Sequence, residues 1–454
     1  MTKPNVVLLT IDTLRLDRLG CFGCDKLLTP NIDRLAAEGV RFSQAVTGGS
    51  WTQASFPVIM TSTYASMYGG CLGKLSAERP SPAEALTKHG YRTAAFSTSP
   101  LLSRAYGYDR GFQHFVDLIP NEKDPALREM KGGQRLLRSP LTHKVSKAIG
   151  KQTRPAKVYV DASGLIDAAS QWMGEDEHPF FAWVHFMDVH WPYHREDALS
   201  KPEEIAQAWR DLSHLHEANW NGAPISPEQR DHYIRLYEDA LVYTDVQIGR
   251  LLDDMAARGV LDNTIIVLVS DHGEEFLEHG RWGHWEDNLY DEILRVPLIF
   301  RLPGLDGARN ISQQVSTIDI MPTILDLCGC PSPTGMMGHS LVPLWQEPGT
   351  AYPVETAVTE MWRDHWHIIA VRTTTHKYIW DSKKPDASRL YDLLNDPEER
   401  VNIADRHPDI VRKLHSVVDA RLADMALTAP DTAVTEPDLD DDVLARLRGL
   451  GYVE

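Results

Sequence analysis

Long apolar runs alternate with amphipathic stretches over the first three quarters of this chain. Asn5-Val6-Val7-Leu8-Leu9-Thr10 and Thr264-Ile265-Ile266-Val267-Leu268-Val269 have no polar face, the pattern of strands buried on both sides of a parallel sheet. Residues 40–46, 91–97, 180–186 and 296–300 read as further strands. Between them, residues 29–39 predict a helix, with Pro30 near its start and Gly39 after its end. Residues 48–52 read as a turn, and Phe56 to Met60 as an apolar helical start. This alternation predicts an α/β fold with a mostly parallel, doubly wound sheet.

The rhythm breaks in two places and then changes. Residues 122–157 hold ten Lys or Arg in an otherwise acidic chain, the signature of a solvated excursion or of a lid over an anionic substrate. Residues 196–239 form a polar, Trp- and His-containing helical insertion, expected to cover one side of a cleft. Past residue 345, residues 356–360, 366–372 and 377–380 read as short strands, and 409–425 as an amphipathic helix. The expected organisation is a catalytic domain over 1–345 with insertions at about 120–157 and 196–239. A small α+β subdomain over 346–428 and a linker and tail over 429–454 complete it.

Composition narrows the function classes. The chain has 454 residues, 43% apolar, and a formal net charge of −18, which argues against nucleic-acid or anionic-lipid partners. No run approaches the roughly 18 apolar residues of a membrane span. Met1-Thr2-Lys3-Pro4 leads straight into the first strand, so the expected location is cytoplasmic. Five sparse cysteines (Cys21, Cys24, Cys71, Cys328, Cys330) make no disulfide framework and are expected as free thiols. A homo-oligomer is compatible with this composition.

The chemistry gathers at strand ends. In an open α/β sheet the C-terminal strand ends form the ligand crevice. Asp12 ends one buried strand and Asp271-His272 another, so two carboxylates and an imidazole can reach one divalent metal. Oxygen-plus-imidazole ligation suits Mn, Zn, Mg or Ca, as one ion or two. Thr52, in Trp51-Thr52-Gln53-Ala54-Ser55, is the candidate nucleophile, a hydroxyl that needs a metal or base to activate it. Ser55 is its competitor. His185, Asp188 and His190 follow a further strand and are candidates for substrate oxygens or a second metal. His284 is a candidate oxyanion binder or leaving-group acid, and His279 a weaker one.

These segments resemble the sulfatase family of the alkaline phosphatase superfamily over nearly the whole chain. Ile11-Asp12-Thr13-Leu14-Arg15-Leu16-Asp17-Arg18-Leu19-Gly20-Cys21-Phe22-Gly23 looks like the first metal motif and Ser270-Asp271-His272-Gly273-Glu274 like the second. Residues 29–35, 294–299, 319–326, 390–399 and the terminal Leu450-Gly451-Tyr452-Val453-Glu454 fit as well. The resemblance implies a three-layer α/β/α sandwich with a small C-terminal sheet. By position it makes Asp12, Asp271 and His272 metal ligands, with Thr13 where many members have a second metal-binding Asp. His190 matches a substrate-binding His, and His284 stands where the family has a Lys. Arg15, His185 and Asp188 are expected to bind substrate. The nucleophile motif departs: Cys-x-Pro-x-Arg is replaced by Thr52-Gln53-Ala54-Ser55-Phe56. Formylglycine cannot form from Thr. The expected activity is therefore metal-dependent cleavage of small anionic phosphate, phosphonate or sulfate esters through Thr52. Its alternatives are a sulfatase without formylglycine, a phospho-group transferase, or a silent binding protein.

Overall fold

A computed structural model describes residues 3–118, 159–195, 199–347, 349–363 and 366–429, with isolated positions 437, 439, 444 and 447 beyond. The basic insertion at 120–157 and nearly all of the tail from 429 lie outside the described residues.

The first strand, β1 (Asn5–Ile11), is central because its side chains are apolar on both faces. Val6 and Leu8 pack into one core and Val7, Leu9 and Ile11 into another. The neighbouring strands β5 (Phe180–Phe186) and β6 (Thr264–Ser270) divide in the same alternating way. The remaining strands are β2 (Gly39–Val46), β3 (Arg92–Ser97), β4 (His114–Asp117), the short pair β7 (Glu275–Phe276) and β8 (Trp282–Gly283), β9 (Leu298–Arg301) and β10 (Arg309–Ser316). The large sheet runs β10-β2-β9-β6-β1-β5-β3-β4. All its pairs are parallel except those of β9, which runs against both β2 and β6.

Helices cover both faces, which makes the three-layer sandwich. One face carries α1 (Pro30–Ala37) and α4 (Ala162–Met173); the other carries α2 (Thr52–Thr61) and α3 (Pro82–Lys88). The insertion after β5 is a helical hairpin, α5 (Pro202–Asn221) and α6 (Pro227–Ala257). Its second helix runs past residue 239 because Leu241, Ile248, Leu251 and Leu252 belong to the sheet's core. What reads as an insertion thus ends as a structural layer.

A second sheet, β11 (Ala357–Arg363), β12 (Trp366–Arg372), β13 (His376–Asp381) and β14 (Arg389–Asp392), is antiparallel and in chain order. One of its faces is covered by the helix α7 (Pro408–Leu427) through Leu414 and Val418. The other face packs on Val46, Leu289, Ile293 and Leu294 of the larger unit. Among the described residues, no helix is long and apolar enough to cross a membrane.

Candidate active site

The register of three strands assembles the site. Ile11 of β1 lies opposite Phe186 of β5 and Ser270 of β6. The next residues, Asp12, Met187 and Asp271, therefore leave the sheet at one edge, and Asp12 N–H donates to the Phe186 carbonyl (3.0 Å). Asp12, Asp271 and His272 offer ligand atoms all within 4.8 Å of one another, and all three residues are buried.

Local hydrogen bonds hold these groups in place. Asp271 Oδ1 accepts from the His272 amide (2.9 Å) and the Thr13 amide (3.3 Å). Thr13 supplies that amide from a left-handed backbone, φ +56°, which is strained for a β-branched residue. The Ser270 hydroxyl accepts from the Leu14 amide (2.9 Å) and lies 2.8 Å from the Ile11 carbonyl, tying the two strand-end segments together. Gly273 is needed because a Cβ there would sit 2.0 Å from the Glu292 carbonyl oxygen. His272 Nδ1 lies 2.9 Å from the Gly273 carbonyl, so this nitrogen holds the proton and Nε2 is left as the lone-pair donor.

Within this triad, Asp12 Oδ1, Asp271 Oδ2 and His272 Nε2 have no hydrogen-bond partner among the described residues. They are the atoms that converge. His272 Nε2 is 3.6 Å from Asp12 Oδ1 and 3.4 Å from Asp271 Oδ2. Among the described residues, no Lys or Arg pairs with either carboxylate. Burial, then the Asp271 and Glu274 charges, push the Asp12 carboxyl well above its ordinary range. Burial pushes Asp271 up to about 7. Burial and His284 hold the His272 imidazole well below its usual value. Two buried carboxylates and a lone-pair nitrogen, unsatisfied and facing one point, fit a divalent cation.

Thr52 is the first residue of α2, so the turn expected at 48–52 ends one residue earlier and the hydroxyl sits at a helix N-terminus. All ten residues of this helix are buried, and its positive end lies beside the Asp12 carboxylate. Thr52 Oγ1 is 3.5 Å from Asp12 Oδ2. The Ser55 hydroxyl donates to the Thr52 carbonyl (3.2 Å), inside the helix.

The histidines divide by depth. His185 is fully buried behind Asp12, with Nε2 3.7 Å from Asp12 Oδ2 and Nδ1 2.9 Å from the Thr10 hydroxyl. Expected to bind substrate, it packs in the wall behind the Asp12 carboxylate. Burial lowers its imidazole to about 3. Asp188 and His190 are also buried on this edge. His190 Nδ1 lies 2.5 Å from the Trp191 carbonyl, and burial lowers this ring to about 3, so it is neutral with Nε2 as acceptor. His284 lies over the cluster, its ring centre 4.4 Å from that of His272 and 5.1 Å from that of His190.

Glu274, quoted above only as part of a motif, is the orienting group. Its Oε1 is 3.0 Å from His284 Nδ1, and its Oε2 accepts from the Tyr193 hydroxyl (3.1 Å). Its burial and its contact with His284 exist only in the fold, so the sequence carried no signal for this role.

Three expectations meet competing contacts. Arg15 is buried and paired with Asp17 (2.9 Å) and Glu278 (2.7 Å); it also donates to the Glu274 carbonyl (2.8 Å). Its guanidinium is taken up by these partners and braces the segment after His272. The Thr13 hydroxyl donates to the Val189 carbonyl (2.9 Å), away from the three converging atoms. His279 stacks on Tyr290 (3.5 Å) and lies 2.7 Å from Glu292 and 3.1 Å from the Glu398 carbonyl, a clasp between the two sheets. None of the five cysteines belongs to the cluster; Cys71, near Thr52 in the fold, packs against Trp51 and Ala54.

Comparison with known proteins bears on this geometry. The model of the family described as sulfatase matches residues 4–330. A second, described as N-sulphoglucosamine sulphohydrolase, C-terminal, matches residues 278–425. The N-acetylglucosamine-6-O-sulfatase of Bacteroides thetaiotaomicron is 24% identical, over 88% of this chain and 82% of that protein. Arylsulfatase K of Canis lupus familiaris is 25% identical, over 92% of this chain and 82% of that protein. The crystal structure of the phosphonate monoester hydrolase of Agrobacterium radiobacter superposes with a TM-score of 0.71 at 21% identity, over 94% of this chain and 96% of that one.

Proposed function

The chain belongs to the sulfatase family, whose members here are ester hydrolases, and from that premise we propose that it cleaves phosphate, phosphonate or sulfate esters with Thr52 as an unmodified nucleophile. The observation that carries this reading is the 3.5 Å approach of Thr52 Oγ1 to Asp12 Oδ2, beside three unsatisfied ligand atoms. Asp12, Asp271 and His272 would hold the cation. When bound, it lowers the pKa of a nearby hydroxyl and neutralises charge on the substrate oxygens.

The side chains then have defined tasks. The start of α2 receives the anionic group at its positive end. Thr52 Oγ1 passes its proton to Asp12 Oδ2 and attacks phosphorus or sulfur in line, forming a Thr52 ester while the bond to the alcohol oxygen breaks. His284, oriented by Glu274 as catalytic histidines are by carboxylates, delivers a proton from Nε2 to that oxygen. His190, a neutral ring with its acceptor Nε2 turned from the Trp191 carbonyl, holds the water that releases the Thr52 ester, and His284, neutral after its donation, takes that water's proton while Asp12 returns the first proton to Thr52 Oγ1. With no Cys at position 52, formylglycine chemistry has no starting residue. This weighs toward phosphorus esters, although the relatives named above include sulfatases.

Thr52→Ala tests the reading. Turnover falls by at least about a thousandfold while bound metal, measured by elemental analysis, stays at the wild-type level. Acid-quenched wild-type enzyme yields a phospho- or sulfo-Thr52 peptide by mass spectrometry. Retained turnover in Thr52→Ala would make Ser55 or a water the nucleophile. Matched aryl phosphate, phosphonate and sulfate esters identify the ester class.

A further inference from the structure

A cavity of about 430 Å³, within the range of small-molecule sites, lies between the β7–β8 hairpin and the second sheet. Its walls include neither the three converging ligands nor Thr52 or His284. The hairpin separates it from them, because its two faces differ. Phe276 and Trp282 are cross-strand partners and stack, with ring centres 4.9 Å apart. Trp282 Nε1 donates to the Tyr193 hydroxyl (3.2 Å), which donates to Glu274, so this face belongs to the active site. Glu275 alternates to the other face and borders the cavity. Its carboxylate is already engaged, by the His279 and Arg281 amides (2.9 and 2.8 Å) and by Asn288. Arg281 is closed by Asp287 (2.8 Å).

The sheet's wall holds the open charges. Register sets Ile368 of β12 opposite Asp381 of β13, and Ile379 of β13 opposite Arg389 of β14. Ile379 and Asp381 are two apart in one strand, so the four side chains share the face that lines the cavity. Asp381 and Arg389 stand on its diagonal, roughly 7–8 Å apart. Arg389 donates to the Tyr290 hydroxyl (3.0 Å), and Asp381 Oδ1 accepts from the Trp366 indole and the Lys383 amide (both 2.8 Å). Among the described residues, neither head group meets an opposite charge, and nor does Lys384 beside them. We propose that this cavity binds a small zwitterion of the α-amino-acid type with an apolar side chain. Its carboxylate meets Arg389 and Lys384, its ammonium meets Asp381 Oδ2, and its side chain lies on Ile368 and Ile379. Such a ligand carries both charges close together, between two head groups that do not reach each other. A simple anion would face Asp381 unpaired, and a simple cation would face Arg389 and Lys384. This inference is independent of the ester-hydrolase reading.

Isothermal titration calorimetry on the full chain tests it with L-leucine and L-phenylalanine. Each is compared with its analogue lacking the ammonium (4-methylpentanoate, 3-phenylpropionate) and its analogue lacking the carboxylate (isopentylamine, 2-phenylethylamine). At least one amino acid binds with a Kd below about 10 mM, and its analogues bind at least about tenfold more weakly. Arg389→Gln and Asp381→Asn each lower that affinity about tenfold or more. Ala387→Trp, at an exposed position of the cavity wall, fills the space and abolishes binding while the unfolding temperature holds. Asp12→Asn leaves binding unchanged. No binding by either amino acid, equal binding by an analogue, or binding that survives Ala387→Trp overturns the inference. So does loss of binding in Asp12→Asn, which would put the ligand at the metal edge. Amino-acid binding by a chain that cleaves no ester supports the cavity and counts against the hydrolase reading alone.

Discussion

Two clusters of buried charge sit near one another and are built in opposite ways. Around Lys377, fully buried in β13, the chain supplies both signs. The ammonium meets Asp291 (2.6 Å), Glu399 (2.8 Å) and the Leu289 carbonyl (3.1 Å). Arg372 adds two bonds to Asp291, at 3.0 and 2.8 Å. At the strand edge, Asp12 and Asp271 are equally buried, but their unsatisfied atoms face one another and His272 Nε2. A buried ion is tolerated when paired and very unfavourable when alone. The first cluster is complete as the chain folds and joins the two sheets. The second holds two carboxylates and receives no cation from the chain, a deficit that a divalent ion would fill.

The contrast gives a paired test whose first arm has the largest effect. Lys377→Met leaves Asp291 and Glu399 short of a buried partner and destabilises the fold by about 3–5 kcal/mol in urea. Asp12→Asn removes one of two facing carboxylates and, in chelator-treated protein, raises stability by about 1–3 kcal/mol. Loss of stability in the second variant would mean that the cluster is balanced without a metal. The middle effect is metal linkage. Mn or Zn at about a hundredfold excess over its dissociation constant raises wild-type stability by about 2.7 kcal/mol. Asp271→Asn abolishes that gain in calorimetry, whereas Lys377→Met retains it.

Acid gives the smallest effect. Burial alone would raise the Asp291 carboxyl, but Lys377 and Arg372 outweigh it and hold it well below its ordinary value. A depressed folded pKa contributes stability above the unfolded value, near 3.9, and that stability is lost as pH falls toward the folded pKa. Glu399 is raised, chiefly by burial, so its protonation offsets part of the loss at higher pH. The Asp291 contribution therefore stays intact from pH 7 down to about 4 and falls below that. In Lys377→Met the Asp291 carboxyl loses its main cation, so its share of the acid loss disappears and the stability gap to wild type narrows as pH falls below about 4. A gap that stays constant would place the acid sensitivity elsewhere.

The strand-end logic was legible because it depends on short-range pattern. Runs such as 5–10 and 264–269 announce buried strands, and the polar residues that follow them must emerge at the sheet's edge. The reversed direction of β9 was not legible, since residues 298–301 are apolar in either orientation. Nor was the long α6, whose polar first half hides a core-facing second half. Within the site, Asp12, Asp271 and His272 come together as their strand ends suggest. Arg15, Thr13 and His279 show the limit. Each has the right residue type, but its partners (Glu278, Val189 and Glu292) are distant in sequence and take up its polar atoms in the fold. Glu274 shows the converse, an orienting residue recognisable only once His284 is seen beside it.

The second sheet also reaches the turn before Thr52. The Thr359 hydroxyl donates to the Thr47 carbonyl (2.5 Å), and the Glu360 amide to that of Gly48 (3.0 Å). A ribosome that has released residue 272 has made Asp12, Thr52, Asp271 and His272, yet the turn before Thr52 still lacks the braces that residues 359 and 360 supply. The order of synthesis thus leaves that turn among the last parts of the site to be fixed.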